Sequence, residues 1–383
     1  MIRVGIIGTG AISDSHIKAY LEFPKRCTIV AFADSYKDTA REKAARYSLE
    51  VDIYENYRDL VKNPDIDLVS ICTPPFTHEE LTIDFLNAGK HVLVEKPMAS
   101  SLEECDAMIR AAEENKTILS VVAQNRFRTP MMKLKKTLEA GLIGKVVHVQ
   151  VDSLWWRGPN YYDLWWRGTW GKEGGGCALN HAVHHIDLLL WMMGEMPDKV
   201  QAMMSNTAHD NSEVEDISIA LLHFKSACLG PITSSVVHHG EEQQIVFQGE
   251  KGRISFPWKI KTSKPKENGF PKPDMELKKK IQSYYDQLGE LVYQDHTGQI
   301  DNLLSAFEGK NKVLIDGIEG RKSLELITVI YKASSTDKPV TLPLNKNDAF
   351  YTKQGILNNA RRFFKKEKSV ECFANNTIRV GGR

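Results

Sequence analysis

The sequence predicts an α/β chain with two halves: a parallel sheet covered by helices, then an α+β domain built on a large, mostly antiparallel, open sheet. Three observations predict it. Strand and helix patterns alternate through residues 1–123 with short connections, as in a parallel sheet buried on both faces. The first strand runs directly into a glycine-rich turn and a helix. From Lys199 to Phe256 strand patterns follow one another with little helix between them.

The elements follow in order. Arg3–Ile7 and Cys27–Ala33 read as strands, and Ala11–Leu21 and Tyr36–Tyr47 as helices, the latter with Lys, Arg and Glu on one face. The apolar runs Leu68–Cys72 and Val92–Glu95, bounded by Asp, Pro and Gly, read as buried parallel strands. His78–Ala88 and Leu102–Glu114 have helical spacing, and Thr117–Val122 is a further strand. Beyond Gln124 a helix at Pro130–Ala140 leads to a strand at Val146–Asp152, and an apolar helix is expected over Leu179–Met193. Strands are expected at Val200–Asn206, Ile217–Phe224, Ala227–Val237, Gln244–Gly249 and Gly252–Phe256, the last two joined by a hairpin turn. Lys259–Met275, with five Lys and three Pro, reads as an exposed loop, and Asp295–Glu308 and Gly317–Ser334 return to helix. Three regions result: 1–123, 124–344 and a basic extension, 345–383, with nine Lys/Arg against three Asp/Glu. Its densest part, Arg361 to Lys366, reads as a solvated helix or an oligomer contact.

Composition narrows the function. In 383 residues, 50 Lys and Arg balance 49 Asp and Glu, which argues against a nucleic-acid footprint spread over the chain and against an anionic membrane surface. The apolar runs are too short to span a bilayer, and the N-terminus reads as a strand rather than a signal peptide. Six scattered cysteines, without a CxxC pair or zinc spacing, fit buried thiols in a reducing cytoplasm; no metal site is expected.

The glycine-rich turn is Gly8-Thr9-Gly10-Ala11-Ile12-Ser13. Gly8 permits the tight turn, and Gly10 lets backbone approach a pyrophosphate seated on the helix N-terminus. Asp34, 24 positions after Gly10 at the end of the second strand, is placed to accept from ribose hydroxyls and to repel a 2′-phosphate, so NAD is favoured over NADP, a preference that Lys37 weakens slightly. Ala11, Ile12 and Ser35 complete this part of the cofactor site. A strand then delivers Glu95-Lys96-Pro97, with Lys96 aimed into the crevice at its C-terminal end and Pro97 a candidate for a cis peptide. About 80 residues on comes Gly174-Gly175-Gly176, followed by Asn180, His181, His184, His185 and Asp187. On a continuous helix Asn180, His184 and Asp187 share one face, and a histidine is suited to taking an alcohol proton near neutral pH.

Dinucleotide turn, Glu-Lys-Pro and GGGxxxxxxxHxxD, in this order, resemble the Gfo/Idh/MocA oxidoreductases, a family that includes glucose–fructose oxidoreductase and inositol dehydrogenase; the resemblance covers roughly residues 1–344. It implies a Rossmann domain, an α/β domain with an open sheet, and hydride transfer between nicotinamide and a carbon of a sugar, cyclitol or glycoside. By the resemblance Lys96 lies near nicotinamide and substrate and His184 is the acid/base, with His181 the second candidate. Thr73, Pro74 and His78 match the loop lining the cofactor, and Trp166 and Arg167 line the nicotinamide side; Glu95 and Asn125 join the expected cofactor contacts. Many members carry Asp where this chain has Asn180, which can hydrogen-bond a hydroxyl but brings no charge to His184.

Five of the seven Trp lie between positions 155 and 170, with Tyr161 and Tyr162 among them. Aromatic faces cover the C–H surface of a pyranose while Arg and Tyr fix its hydroxyls. Trp155, Arg157, Tyr162, Asn180, His184 and His296 are therefore the expected substrate contacts. The leading expectation is an NAD-dependent oxidation of a secondary alcohol of a sugar or glycoside, with pyranoside C3 and a 3-keto product as its finest form. Two alternatives stand beside it: a tightly held NAD re-reduced in each cycle, giving glycoside cleavage, epimerisation or sugar–sugar redox, and a non-catalytic sugar- or NAD-binding protein. An open sheet face needs covering, so a homo-oligomer, dimer, tetramer or larger, is expected.

Overall fold

The computed structural model describes residues 1–371. The N-terminal half places β1 (Ile2–Ile7), α1 (Ser13–Leu21), β2 (Cys27–Ala33), α2 (Lys37–Arg46), β3 (Asp52–Tyr54), α3 (Tyr57–Val61), β4 (Leu68–Ile71), α4 (His78–Asn87), β5 (His91–Val94), α5 (Leu102–Glu114) and β6 (Leu119–Val121) in chain order. All six strands are parallel, in the order β3-β2-β1-β4-β5-β6. That order reverses direction between β1 and β4, and a ligand crevice opens at the strand C-termini there. β1, β4 and β5 are almost wholly buried because helices cover both faces. β3 and α3 are too short for periodicity to reveal.

The second half begins with α6 (Thr129–Glu139) and β7 (Val146–Leu154), followed after the aromatic loop by α7 (Cys177–Asn180) and α8 (Val183–Met193). The sheet continues with β8 (Pro197–Ser205), β9 (Ile217–Phe224), β10 (Leu229–Ser235), β11 (Gln243–Gly249), β12 (Gly252–Phe256), β13 (Lys259–Pro265) and β14 (Pro271–Pro273). Helices α9 (Met275–Gln287), α10 (Asp295–Phe307) and α11 (Gly317–Thr336), a short β15 (Val340–Thr341) and α12 (Lys353–Asn359) complete it. The nine strands are ordered β14-β13-β12-β11-β7-β10-β9-β8-β15; β7 and β10 pair in parallel and the other neighbours antiparallel.

Three expectations are corrected. The stretch 259–275 is a β-hairpin, not a loop: its Lys and Pro content is what an edge strand carries to resist further pairing. The helix expected over 179–193 is two helices. Arg361–Lys366 is extended, with Phe363 packed against the core, rather than a solvated helix.

Helix α10 returns to the N-terminal half, where Ile300, Leu303 and Leu304 join the core around α1 and β1. Helix α11 packs between the two halves, with thirteen of its twenty residues buried. On its open face the large sheet exposes Met203 (77%), Leu221 (56%), Leu229 (55%) and Ile219 (48%). No described helix is long and apolar enough to cross a membrane. The five described cysteines are buried and free, while Cys372 lies outside the described residues.

Candidate active site

The phosphate turn follows from its residues. Gly8 has φ +83°, and a Cβ there would stand 2.8 Å from Thr73 Cγ2, so only glycine fits. A Cβ on Gly10 would meet nothing within 4 Å, which is the open approach a pyrophosphate needs. Ile12 gives no side-chain cap to α1, and the amides of Ala11 and Ile12 have no acceptor among the described residues. These are the free donors a dinucleotide would occupy. The Asp34 carboxylate accepts from the Thr9 amide and hydroxyl, both 2.7 Å, and from the Tyr36 amide at 2.9 Å. It is partly exposed beside exposed Ser35, so the turn holds the carboxylate where a ribose would lie.

Two expected cofactor contacts have other occupations. His78 is fully buried, with Nδ1 2.9 Å from the Pro97 carbonyl and Nε2 2.8 Å from that of Thr73. It ties the loop after β4 to Glu-Lys-Pro and presents no nitrogen to a ligand, while Thr73 and Pro74 stay on the loop above Gly8. Glu95 is buried; its carboxylate accepts hydrogen bonds from His16 Nε2 at 2.9 Å and from the Lys96 amide at 3.1 Å. Burial alone would raise this carboxyl, but the His16 hydrogen bond and neighbouring His296 hold it well below its ordinary range. The pair therefore anchors the motif to α1. His296, expected at the substrate, stands 3.8 Å from Glu95 Oε1 with its ring centroid 5.3 Å from that of His16, and it is close enough to His184 for its charge to act on that ring. These three residues bring potential donor atoms within 4.8 Å of one another, and the His16–Glu95 hydrogen bond satisfies two of them without an ion.

Lys96 follows the end of β5, before a cis Pro97. Its Nζ donates to the Asn180 carbonyl at 3.0 Å. Burial lowers the ammonium from its usual 10.5, with Glu95 opposing and Arg167 adding to the shift. That bond sits at a break in the helix: α7 ends at Asn180, whose carbonyl accepts from Lys96, and α8 starts three residues on. The Asn180 amide nitrogen bonds the Gly175 and Gly176 carbonyls (3.0 and 3.2 Å), and its side-chain oxygen has no partner among the described residues. The glycine run is dictated by closeness: a Cβ on Gly176 would lie 2.0 Å from the Glu215 carbonyl oxygen.

His184 and Lys96 line the same small cavity between the two halves. Burial, then the Lys96 charge, push the His184 ring well below its ordinary range, so it is a neutral base at physiological pH. His181 is driven down likewise by burial and by Arg157 and Arg167; it is held between Trp155 and Tyr161, centroids 5.9 and 5.7 Å away, with Nδ1 unpartnered. The Asp187 carboxylate, expected on their face, is taken by Arg126 in two 2.8 Å bonds. Arg126, 1% exposed, also bonds Glu319 at 3.0 Å. This buried ion cluster welds α8, α11 and the turn at Gln124–Phe127, which carries Asn125.

In the aromatic loop Tyr162 is corrected. It is 1% exposed and packs edge-on against His209, so it offers a substrate nothing; its neighbour Tyr161 faces the site. Trp155 donates to Ser153 Oγ (3.0 Å), and Arg157 lies 5.5 Å over its ring while pairing with Glu241. Arg167 sits 4.2 Å over both Trp166 and Tyr161, donates to the Tyr161 hydroxyl, and pairs at 2.9 Å with fully buried Glu173. It orders the wall by which Lys96 is reached. Sequence reasoning missed Glu173, Arg126 and the Glu215–Tyr331 pair under the glycine run (3.0 Å), because isolated charges carry no pattern until the fold buries them together.

A Rossmann crevice, a buried lysine at a strand end and an unprotonated histidine across from it define an oxidoreductase of the nicotinamide class. Residues 2–123 match the family model described as an oxidoreductase family NAD-binding Rossmann fold, and residues 135–342 match that family's C-terminal alpha/beta domain. The chain belongs to the Gfo/Idh/MocA oxidoreductase family. It is 29% identical to the Myo-inositol 2-dehydrogenase of Thermotoga maritima over 334 residues, 85% of this chain and 96% of that one. It is 29% identical to the Levoglucosan dehydrogenase of Pseudarthrobacter phenanthrenivorans over 67% of this chain and 73% of that one. Among solved structures, the WlbA dehydrogenase from Bordetella pertussis in complex with NADH and UDP-GlcNAcA superposes with TM-score 0.77 at 29% identity, covering 90% of this chain and 98% of that one.

Proposed function

We propose that the protein oxidises a secondary ring alcohol of a sugar, cyclitol or glycoside with NAD. The carrying observation is that Lys96, just past the end of β5, and His184 line one cavity, while His181, three residues before His184, is held between Trp155 and Tyr161. Free amides at Ala11 and Ile12 and the Asp34 carboxylate would hold the dinucleotide. When bound, NAD supplies the acceptor for the hydride. His184 takes the hydroxyl proton, and the Lys96 ammonium hydrogen-bonds the same oxygen as negative charge grows on it. Asn180 offers its free amide oxygen to a neighbouring hydroxyl. Trp155 and Tyr161 cover the C–H face of the ring and exclude water. Relatives named for inositol and levoglucosan support a ring alcohol as substrate. Pyranoside C3, with a 3-keto product, is the finer form of the reading, and the carbonyl position in the product decides it.

The exposed apolar face of the large sheet supports a homo-oligomer closed across β8, β9 and β10. The test of the function is absorbance at 340 nm with NAD against inositols, pyranoses, levoglucosan and glycosides, with a denaturing extract to detect retained nucleotide. Stoichiometric NADH with one substrate class is expected. Retained nucleotide and altered sugar without net NADH would replace this reading by an internal redox cycle, and neither turnover nor nucleotide would leave a binding protein.

A further inference from the structure

The basic extension is tied to the aromatic loop. After α12 the chain runs extended from Arg361 to Val370, beyond the family's shared C-terminal domain. Its backbone is bound along this length: the Trp170 indole donates to the Arg361 carbonyl (3.2 Å), and the Phe363 and Phe364 amides bond the Glu213 and Ser212 carbonyls (3.1 and 3.3 Å). Asn211, itself buried, is the node. Its Oδ1 accepts from the Glu367 and Lys368 amides (2.8 and 2.9 Å), while its Nδ2 donates to Asp163 Oδ1 (2.9 Å) and the Lys368 carbonyl (3.1 Å). Lys366 Nζ donates to the Tyr162 carbonyl, the Val370 amide to that of Asp163 (2.8 Å), and the Trp165 amide to that of Val370 (2.9 Å).

These bonds fall on the segment that makes the substrate wall. Tyr162 and Asp163 end the single turn Pro159–Asp163 that carries Tyr161 to His181. Trp165, paired to Val370, rests edge-on against Phe76 (6.0 Å), on the loop after β4 that lines the cofactor crevice. From Trp155 to Gly176 the chain has little regular structure of its own, and a connection of that length stays mobile unless something fixes it. Here the fixing comes from the extension on one side and the 206–216 loop on the other.

We infer that residues 361–370 form a strap that supports sugar binding by holding Tyr161 and Trp165 in place, with Asn211 and the Val370 amide as its positioning groups. This rests on the sugar dehydrogenase reading for its substrate and on geometry alone for the tether. The strap does not touch the Gly8–Ile12 turn and reaches the cofactor side only through the Trp165–Phe76 contact, so its main effect falls on the sugar.

The experiment compares Val370→Pro, which deletes the amide bonded to Asp163, with Val370→Ala, which keeps it; the Val370 side chain is 39% exposed, so neither substitution empties the core. Asn211→Ala is a second variant. In the full-length protein, Val370→Pro and Asn211→Ala are expected to raise KM for the sugar at least about tenfold. The dissociation constant for NAD and kcat stay within about threefold, and tryptic cleavage at Arg157, Arg167 and Lys172 is about tenfold faster. Val370→Ala matches the parent. Parent-like KM and cleavage in Val370→Pro would overturn the strap, whatever Asn211→Ala does. If the parent protein turns over no sugar, the sugar reading fails by itself, and the cleavage rates still decide the tether: faster in Val370→Pro upholds it, equal rates overturn it.

Discussion

Replacing Lys96 by Met keeps the length of the side chain and removes its charge. The lysine makes one bond to protein through Nζ, 3.0 Å to the Asn180 carbonyl, so the loss to the fold is one buried acceptor left without its donor, about 1–3 kcal/mol. Relief from burying an ammonium offsets part of that cost. The effect on the reaction is larger. A positioned acid–base group contributes about 10²–10⁴-fold, which is about 3–5 kcal/mol of barrier. The expected outcome is therefore a folded protein with the parent's affinity for NAD and kcat lower by about two to four decades. The pH profile carries a sharper signature. His184 must be neutral to accept a proton, so activity is lost as pH falls through its depressed pKa. Lys96 must be charged to hold the oxygen, so activity is lost as pH rises through its own, which burial brings below 10.5. In Lys96→Met the alkaline limb disappears. The acid limb moves up toward the ordinary 6.5, because the lysine charge that helps hold His184 down has gone. Calorimetry with NAD and kcat/KM between pH 5 and 10 would read all three. Parent-like kcat, or an alkaline limb unchanged in position, would refute the assignment of Lys96.

Three further outcomes follow from the same geometry. His184→Gln is expected to lose about 10²–10⁴ in kcat with NAD affinity kept, whereas His181→Gln, between two aromatic rings, loses less; the ratio of the two kcat values in one assay checks the order. Arg126→Met leaves the buried Asp187 carboxylate without its cation, while part-exposed Glu319 keeps Lys322, and is expected to cost about 3–5 kcal/mol in urea unfolding, with Arg126→Lys intermediate. Burial pushes Glu215 up to about 7 from 4.5, so its folded state holds the proton more tightly than its unfolded state. The stability of the parent relative to Glu215→Gln should then fall by about 3 kcal/mol as pH rises from 4.5 to 7 and level off above; a difference that rises over that range would contradict it.

Much of the site was legible because its signals are local. The Gly8–Ser13 turn, Asp34 and Lys96 each stand at a strand end, and strand ends can be read from short apolar runs. The parts that were not legible depend on contacts distant in sequence. At the break between α7 and α8 the Asn180 carbonyl is bonded to a lysine 84 positions away. Tyr161 and Tyr162 are adjacent and chemically alike, and only the packing of Tyr162 against His209 turns the former to the site. His78 and Glu95 lie in cofactor motifs, yet their polar atoms are satisfied within the protein, a closure no spacing reveals. The β13–β14 hairpin read as a loop because the lysines and prolines that protect a sheet edge are the residues that also fill loops.

The central claim is that hydride leaves a ring carbon for NAD while Lys96 and His184 manage the hydroxyl proton. Its most direct test is a single turnover with NAD and ring-deuterated inositols, pyranoses and glycosides, with the reduced nucleotide weighed by mass spectrometry. The account predicts a reduced nucleotide one mass unit heavy, formed by the parent and slowed in Lys96→Met and His184→Gln. A substrate consumed with no deuterium in the nucleotide, or deuterium transfer at the parent's rate in both variants, would contradict it.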